Sequence, residues 1–371
     1  MKINGIEKNK KRIIVAMSGG LDSSVAAALL KKQGYFVIGV FMKFWHSHSE
    51  IKENRCCSLE AEKRARKIAQ ELNMPFYVLN CSREFKKKVV DYFLEEYRKR
   101  GTPNPCVICN KEIKFGFLIK KALEAGADFV ATGHYARKVQ EPRSRFQKSN
   151  PKKIYKLLKA KDKEKDQSYF LWRLNQRQLS RILFPVGDYT KKEVKALARK
   201  FKLPVLDIPE SQEICFIGNS INSFLKKYLK EKKGDIVDLE NKKKIGEHNG
   251  LWFYTIGQRK GIKSSYGPYY VVKKDFKKNL LFVSKNKKDL FKKKFIVKEV
   301  NWISGKCPKM PLEAKVKIRS RHKPRLALIK KTKKGCQIEF QKPQSAITPG
   351  QSAVFYNNNE LIGGGIIVKV V

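Results

Sequence analysis

Apolar and polar positions follow two regimes along the chain. Over roughly the first 200 residues, short continuous apolar runs alternate with amphipathic stretches. The runs at 13–17, 36–42, 76–79 and 128–132 predict strands, and the stretches at 58–72 and 85–100 predict helices. Ala26, Ala27, Leu29 and Leu30 supply the apolar face of a further helix directly behind the first strand. Unbroken apolar strands are those buried on both faces, so the alternation predicts an α/β fold built on a doubly wound parallel sheet of Rossmann-like form. Ligands of such sheets sit at the carboxyl ends of the strands. Residues 138–153 are polar, Lys-rich and proline-punctuated, which predicts a surface excursion before a short run at 154–159. Thr190 and Glu193 fit a capping box that starts a helix running to Lys200. Beyond about residue 217 the pattern becomes short alternating segments with turn signals, at 252–254, 269–272, 280–283, 314–318, 327–331, 337–340, 353–356 and 366–371. Such spacing predicts antiparallel sheet or a small barrel. No internal repeat is visible.

The first strand runs into SGGLDS at 18–23 and then into the alanine-rich helix. Gly19 and Gly20 allow the turn to approach a ligand closely. The free N–H groups of the turn and helix start, with the helix dipole, favour an anion there. Asp22 places a carboxylate where a Mg²⁺ on phosphates needs one. No Lys follows the glycines, so the Walker pattern is absent. An ordinary strand-turn-helix connection is the alternative for a bare glycine pair.

Charge changes the picture next. In 371 residues, 82 Lys and Arg oppose 34 Asp and Glu for a formal charge of +48, which suits a partner rich in phosphate, nucleic acid first. Runs such as Lys86-Lys87-Lys88 and Lys242-Lys243-Lys244, among many Asn and Ile, fit a compositional bias equally well. The length allows two to three domains at ~100–200 residues each. No signal segment or run near the ~20 apolar residues of a membrane span is present, and a cytoplasmic protein without a membrane partner is expected.

Eight cysteines without a secretory signal argue for reduced thiols with chemical roles. Pro103 and Pro105 precede Cys106 and Cys109, which predicts a CxxC held on a stiff surface loop and not in a buried helix face. Lys111 and Lys114 nearby favour thiolate. A CxxC alone serves a redox pair, half a zinc site or an iron–sulfur centre. Cys215, between Ile214 and Phe216, reads by itself as a small core residue. Cys56, Cys57, Cys81, Cys307 and Cys336 read as packing residues. His46 and His48 have no ligand spacing, and Tyr135 and Trp172 fit a core as well as a base stack.

SGGLDS resembles the PP-loop of the ATP pyrophosphatase superfamily. Together with TPNPCVICNKEIKFG (102–116), ATGHYAR (131–137), KDQSYFLW (165–172), LFPVGDYTK (183–191), EICFIG (213–218), TIGQRKG (255–261) and TPGQSAVFY (348–356), it resembles the MnmA family of tRNA-specific 2-thiouridylases from residue 12 to 371. That resemblance implies a PP-loop catalytic domain at 1–217, a small central domain at 218–285 and a C-terminal antiparallel β-barrel contacting tRNA at 286–371. It implies thiolation of the wobble uridine of glutamate, glutamine and lysine tRNAs, with ATP, Mg²⁺ and persulfide sulfur from a cysteine desulfurase or a relay protein.

Residue by residue, the resemblance gives ATP to Ala16, Met17, Ser18, Gly19, Gly20, Leu21, Asp22 and Ser23, with Met42 near the base and Gly133. Cys109 matches the catalytic thiol and Cys215 the persulfide carrier. Asn104, Pro105 and Cys106 match the segment at the target base. His134, Lys165, Asp166, Gln167, Arg319, Ser320 and Gln351 match tRNA-touching positions. Many members carry Asp where this chain has Cys106. An iron–sulfur cluster on Cys106, Cys109 and Cys215 is the less favoured use of the three thiols. The implied transfer requires Cys109 and Cys215 to approach, so a mobile segment around Cys215 is expected.

RNA contacts are also readable from spacing. Lys315, Lys317, Arg319, Arg321 and Lys323 alternate on a predicted strand, which puts five charges on one face. A solvated edge strand that resists aggregation is the alternative. Two other functions stay in view: another PP-loop ligase or amidotransferase, and a noncatalytic RNA-binding protein.

Overall fold

The computed structural model describes residues 11–46, 58–99, 101–141, 154–206, 214–218, 220–262 and 268–371. His48, Cys56, Cys57, Arg100 and most of the expected excursion at 138–153 lie outside the described residues. Strands β1 (Arg12–Ala16), β2 (Phe36–Lys43), β3 (Phe76–Asn80) and β4 (Phe129–Thr132) come first. A hairpin of β5 (Ala136–Gln140) and β6 (Tyr155–Lys159) then leaves the sheet, and β7 (Ile182–Leu183) returns to it. The sheet order is β3-β2-β1-β4-β7, parallel throughout. Its central strands are buried along nearly their whole length, as their unbroken apolar runs require.

Successive strands step outward from β1 on one side, and β4 lies on the other. The order therefore reverses between β1 and β4, which opens a crevice beyond their carboxyl ends. Helix α1 (Leu21–Lys32) leaves β1 there and is buried from Ser23 to Leu30. Helix α2 (Leu59–Glu71), capped by the Ser58 hydroxyl, covers the same face. The Thr190–Glu193 capping box forms as expected and starts the helix Lys191–Lys200. Cys106 and Cys109 do not sit in a surface loop. Pro105 occupies the first helical position, where its missing N–H is one the helix leaves unbonded anyway, so it starts a helix. The α-helical turn Pro105–Ile108 passes into a π-helical stretch at Cys109–Phe117, and Cys109 is only 7 % exposed.

The C-terminal half contains two units, and the first departs from the expected antiparallel sheet because β8 and β11 pair in parallel. Strands β8 (Gly234–Asp238), β9 (Lys244–His248), β10 (Tyr270–Asp275) and β11 (Leu280–Ser284) form a small sheet around Ile236, Val271, Leu281 and Val283. The strand expected at 252–254 is instead a 3₁₀ turn, Leu251–Phe253, entered from Gly250 at φ +150°. Strands β12 (Phe291–Trp302), β13 (Leu312–Lys317), β14 (Arg325–Thr332), β15 (Gly335–Ser345), β16 (Ser352–Asn357) and β17 (Glu360–Val370) form a six-strand barrel, closed by the pairing of β12 with β17. The run expected to carry Arg319, Arg321 and Lys323 on one face stops at Lys317. His322 N–H bonds Arg319 O across a tight turn into β14.

The barrel is joined to the parallel-sheet domain in three ways. The hairpin strand β6 pairs with β17 through Leu157 and Leu158. Val354 and Tyr356, on the outer face of β16, share a core with Trp172, Tyr169 and Leu171, whereas Ala353 and Phe355 fill the barrel interior. The Trp172 indole N–H donates to Ser352 Oγ at 3.0 Å, and the Tyr169 hydroxyl donates to Ser352 O at 2.9 Å. Among the described residues no helix is long and apolar enough to cross a membrane.

Candidate active site

Residues 16–23 lie at the mouth of the crevice. The Ser18 N–H bonds Ser23 Oγ, and the hydroxyls of Ser23 and Ser24 both donate to Gly20 O, which folds the loop onto the first turn of α1. Gly19 requires its lack of a side chain: at φ +71°, a Cβ there would lie 2.3 Å from Ala61 O. Gly20 caps α1 without any side-chain cap, so the first-turn N–H groups are left for an anion. Gly133, just past β4, closes the cradle from the far side, and its Cβ would lie 2.6 Å from Ser23 N. Met42, next to last in β2, lies on the same edge and is buried. The crevice thus gathers all ten residues matched to ATP.

Asp22 is already engaged. Lys191 Nζ contacts its two carboxylate oxygens at 2.7 and 3.0 Å, and the Tyr135 hydroxyl donates to Oδ1 at 2.8 Å. Lys191 is the first residue of a helix whose capping box fixes its start, and its N–H is held by Asp162. On the other flank, Arg64 of α2 donates to Gly19 O at 3.4 Å. Lys191 and Arg64 are not singled out by the sequence, and Tyr135, weighed there as a core or base-stacking ring, instead hydrogen-bonds Asp22. The capping box announced a helix start, but only the sheet topology brings that start to the loop.

The thiols occupy a second region. Cys109 belongs to the main apolar core, and Cys106 is half-buried. Cys215 is half-buried and packs against the same core, anchored by Phe216, whose ring lies 5.4 Å from Phe93 and Phe224 and 5.8 Å from Phe85. Among the described residues no three His, Cys, Asp or Glu side chains are gathered so as to hold a metal ion, so Cys106, Cys109 and Cys215 do not converge as a ligand set here.

The residues matched to RNA divide. Lys165, Asp166 and Gln167 form one turn. Asp166 accepts from the Ala160 and Ser168 N–H groups and the Ser168 hydroxyl, and Gln167 Oε1 accepts from Tyr135 N–H. His134 is buried, shares a 2.8 Å hydrogen bond with Thr132 Oγ1, and has its pKa pushed well below 6.5 by burial and then by the charge of Lys114. Gln351 reaches from the barrel to the segment ahead of the thiols and donates from Nε2 to Thr102 O at 2.8 Å and Pro103 O at 3.3 Å. Arg319 is half-buried and bonds Ile256 O, Ala346 O and Thr348 Oγ1, which ties the barrel to the central unit. Ser320 lies in the turn beside it.

The chain is similar to known proteins over nearly its whole length. Three family models match in succession: tRNA methyl transferase HUP domain at 11–219, tRNA methyl transferase PRC-barrel domain at 222–285, and aminomethyltransferase beta-barrel domain at 292–367. The tRNA-specific 2-thiouridylase MnmA 2 of Thermoanaerobacter sp. is 46% identical over 367 residues, covering 96% of this chain and 98% of that protein. The tRNA-specific 2-thiouridylase MnmA of Carboxydothermus hydrogenoformans is 45% identical over 368 residues, covering 97% and 98%. Among solved structures, NMN synthetase from Francisella tularensis overlays at a TM-score of 0.31 and 16% identity, covering 54% of this chain and 66% of that one. That overlay is too loose to carry an argument. With relatives this similar over almost their full length, and family models matched from residue 11 to 367, the chain belongs to the MnmA family of tRNA-specific 2-thiouridylases.

Proposed function

We propose that this protein is a tRNA-uridine 2-sulfurtransferase of the cytoplasm that adenylates the C2 carbonyl of the wobble uridine and replaces its oxygen with sulfur. The observation that carries the reading is the uncapped α1 start at Gly20, with Gly19 and Gly133 closing around it, on a chain whose relatives are named 2-thiouridylases. An amide-like oxygen leaves poorly and must first be activated. The first-turn N–H groups of α1 would hold the phosphates as the uracil oxygen attacks the α-phosphorus, and pyrophosphate would depart toward the positive flanks at Lys191 and Arg64. A Mg²⁺ held by Asp22 would neutralise charge on those phosphates. Lys191 now occupies that carboxylate, so it would exchange Asp22 for a phosphate oxygen on nucleotide binding.

In the second half, the terminal sulfur of a persulfide on Cys215 would attack C2 and expel AMP, leaving the base joined to Cys215 through two sulfurs. The Cys109 thiolate would then attack the Cys215 sulfur, releasing the 2-thiouridine and leaving a Cys109–Cys215 disulfide for external reduction. That disulfide requires Cα atoms within ~7 Å. The half-buried Cys215 and its Phe216 anchor are the elements we expect to shift. Asn104, Pro105 and Cys106 would sit at the target base, with residues 165–167 and Gln351 on the RNA. Glutamate, glutamine and lysine tRNAs are the expected substrates, with a cysteine desulfurase or a relay protein as donor. We take 1–217 as the catalytic domain, 218–285 as the central domain and 286–371 as the RNA-contacting barrel.

Incubating unmodified tRNA with the protein, ATP and a persulfide donor should give 2-thiouridine by nucleoside mass spectrometry, with equal amounts of AMP and pyrophosphate. Neither thiolated base nor pyrophosphate would overturn the reading.

A further inference from the structure

The seam between the parallel-sheet domain and the barrel carries charge that its own packing does not neutralise. On β13, Lys315 and Lys317 are two residues apart and so share a face. Lys315 lies opposite Tyr356 of β16, which places that ring on the same face. Over the Tyr356 ring, 4.4 Å from its centroid, sits the ammonium of Lys159, the last residue of β6. Two residues along β13, the stem of Lys317 is buried to 8 % exposure, and its ammonium lies 5.9 Å from the Tyr169 ring. The two rings are linked through their own segment, because the Tyr356 hydroxyl and Ser168 Oγ are 3.2 Å apart. Two lysines from two domains therefore sit over one pair of tyrosines, with Lys315 on the same face and its charge acting on Lys159.

The carboxylate that faces them is Asp166, which accepts hydrogen bonds from Ala160 and Ser168 and whose charge favours the ammonium forms of Lys159 and Lys317, so one carboxylate stands against three lysines. Glu313 shares the face of β13 one step farther from the seam. Lys159 donates to Asn358 O at 3.0 Å, a neutral partner. Burial lowers the pKa of both Lys317 and Lys159 against the opposing charge of Asp166, and for Lys159 the nearby charges of Lys317 and Lys315 lower it further. Like charges held together by packing on both domains are relieved by an anion, and a phosphodiester fits that demand: it is singly charged and takes several donors at once.

We propose that Lys159, Lys315 and Lys317 form a preassembled seat for one backbone phosphate of the RNA substrate, at the seam where the turn 165–167 meets the barrel. The proposal rests on the reading that tRNA is the substrate, and it assigns a contact on neither side of the thiols. A phosphate seated there bridges both domains, so the RNA registers the catalytic crevice and the barrel as one rigid surface. Arg319, turned inward to three oxygens of its own chain, does not perform that task.

The test is the salt dependence of binding of unmodified tRNA to the full chain. Lys317→Met and Lys159→Met keep the apolar stems and remove the charges. Each should reduce the slope of log K against log salt by about 1, and the double variant by little more than either alone, because one phosphate is shared. Lys293→Met, on the exposed β12, serves as the control. An equal slope change in the control, or unchanged slopes in both seam variants while wild type binds tRNA, overturns the seat. Failure of wild type to bind tRNA overturns the underlying reading instead. Inorganic phosphate provides the second arm. If it raises the melting midpoint of wild type but not of Lys317→Met, and the RNA slopes do not differ, the seat takes free phosphate and the assignment to RNA falls.

Discussion

The nucleotide crevice and the barrel seam lie on one molecule but are built on opposite plans. In the crevice, eight consecutive residues at 16–23 form the cradle, and Gly133, Met42, Tyr135, Lys191 and Arg64 arrive from elsewhere. At the seam, segments at 102–104, 168–172, 301 and 349–356 meet with no two adjacent in sequence. Gln351 bonds Thr102 and Pro103, Trp172 and Tyr169 bond Ser352, and Asn301 bonds the carbonyls of Trp172 and Leu174. An anion cradle depends on the direction of backbone N–H groups, which a strand-turn-helix sets locally. The position of a thiol beside a folded RNA depends on tertiary packing. Changes in the crevice should therefore act on the chemistry with little loss of stability, and changes at the seam should act on both.

The largest expected effect separates the two halves of the reaction. Cys215→Ser and Cys109→Ser should each lower 2-thiouridine formation below detection, while pyrophosphate release in the presence of tRNA continues. Retained thiolation in either variant would remove that thiol from the scheme. Loss of pyrophosphate release in both would mean that the thiol region also builds the crevice, and the comparison would fail.

The same contrast explains how much could be read beforehand. The strands of the parallel sheet, α1 and the cradle were legible because each is a short local pattern along the chain. Asp22 and the glycines stood out for the same reason. The helical setting of Cys109 was not legible, since Pro103 and Pro105 look like loop stiffeners until Pro105 is seen in the first helical position. Strand β12 was hidden by Lys292-Lys293-Lys294, which reads as solvated loop, although Phe295 and Val297 are fully buried in the barrel. The five-charge strand was over-read because period-two spacing continued through a turn. Lys191 is brought to the loop only by tertiary structure, through its bond to Asp22.

Next in size is the crevice itself. Asp22→Asn should slow pyrophosphate release on the order of 10²–10³-fold, the usual consequence of losing one group aimed at developing charge. Lys191→Met should weaken direct ATP binding, measured by calorimetry without tRNA, with the melting midpoint nearly unchanged. A large drop in midpoint with ATP affinity intact would make the Lys191–Asp22 pair structural.

Gly350→Ala probes the seam at its tightest point. Gly350 sits at φ +90°, and a Cβ there would lie 2.4 Å from Thr102 N, whose N–H bonds Pro349 O at 2.9 Å. The contact joins barrel backbone to the segment ahead of Cys106, and neither side is a flexible tip. A loss of about 1–3 kcal/mol in unfolding free energy is expected. Thiolation should fall more than pyrophosphate release. Equal loss of both activities would show that the barrel positions the crevice as well as the thiols.

The smallest effect is one of pH, and it tests whether His134 belongs to the crevice or to the core beneath it. Burial holds the native imidazole pKa well below 6.5, with the charge of Lys114 acting in the same direction. In the unfolded chain the group titrates near its ordinary ~6.5. Between those two values the unfolded state binds one proton more than the native state, so stability rises with pH across that window and is lost as pH falls below about 6.5. The slope from this one group approaches about 1.4 kcal/mol per pH unit and vanishes above the window, where neither state is protonated. His248 and His322 are also shifted downward by burial and add to the same trend, so the difference between wild type and a variant isolates His134. His134→Asn offers Thr132 a hydrogen-bond partner that does not titrate. Its denaturant midpoint should fall less steeply than that of wild type between pH 6.5 and 5. Parallel curves would mean that the imidazole is protonated in the native state. A charge would then sit beside Gly133 at the ATP cradle, and the nucleotide site would be sensitive to pH as well.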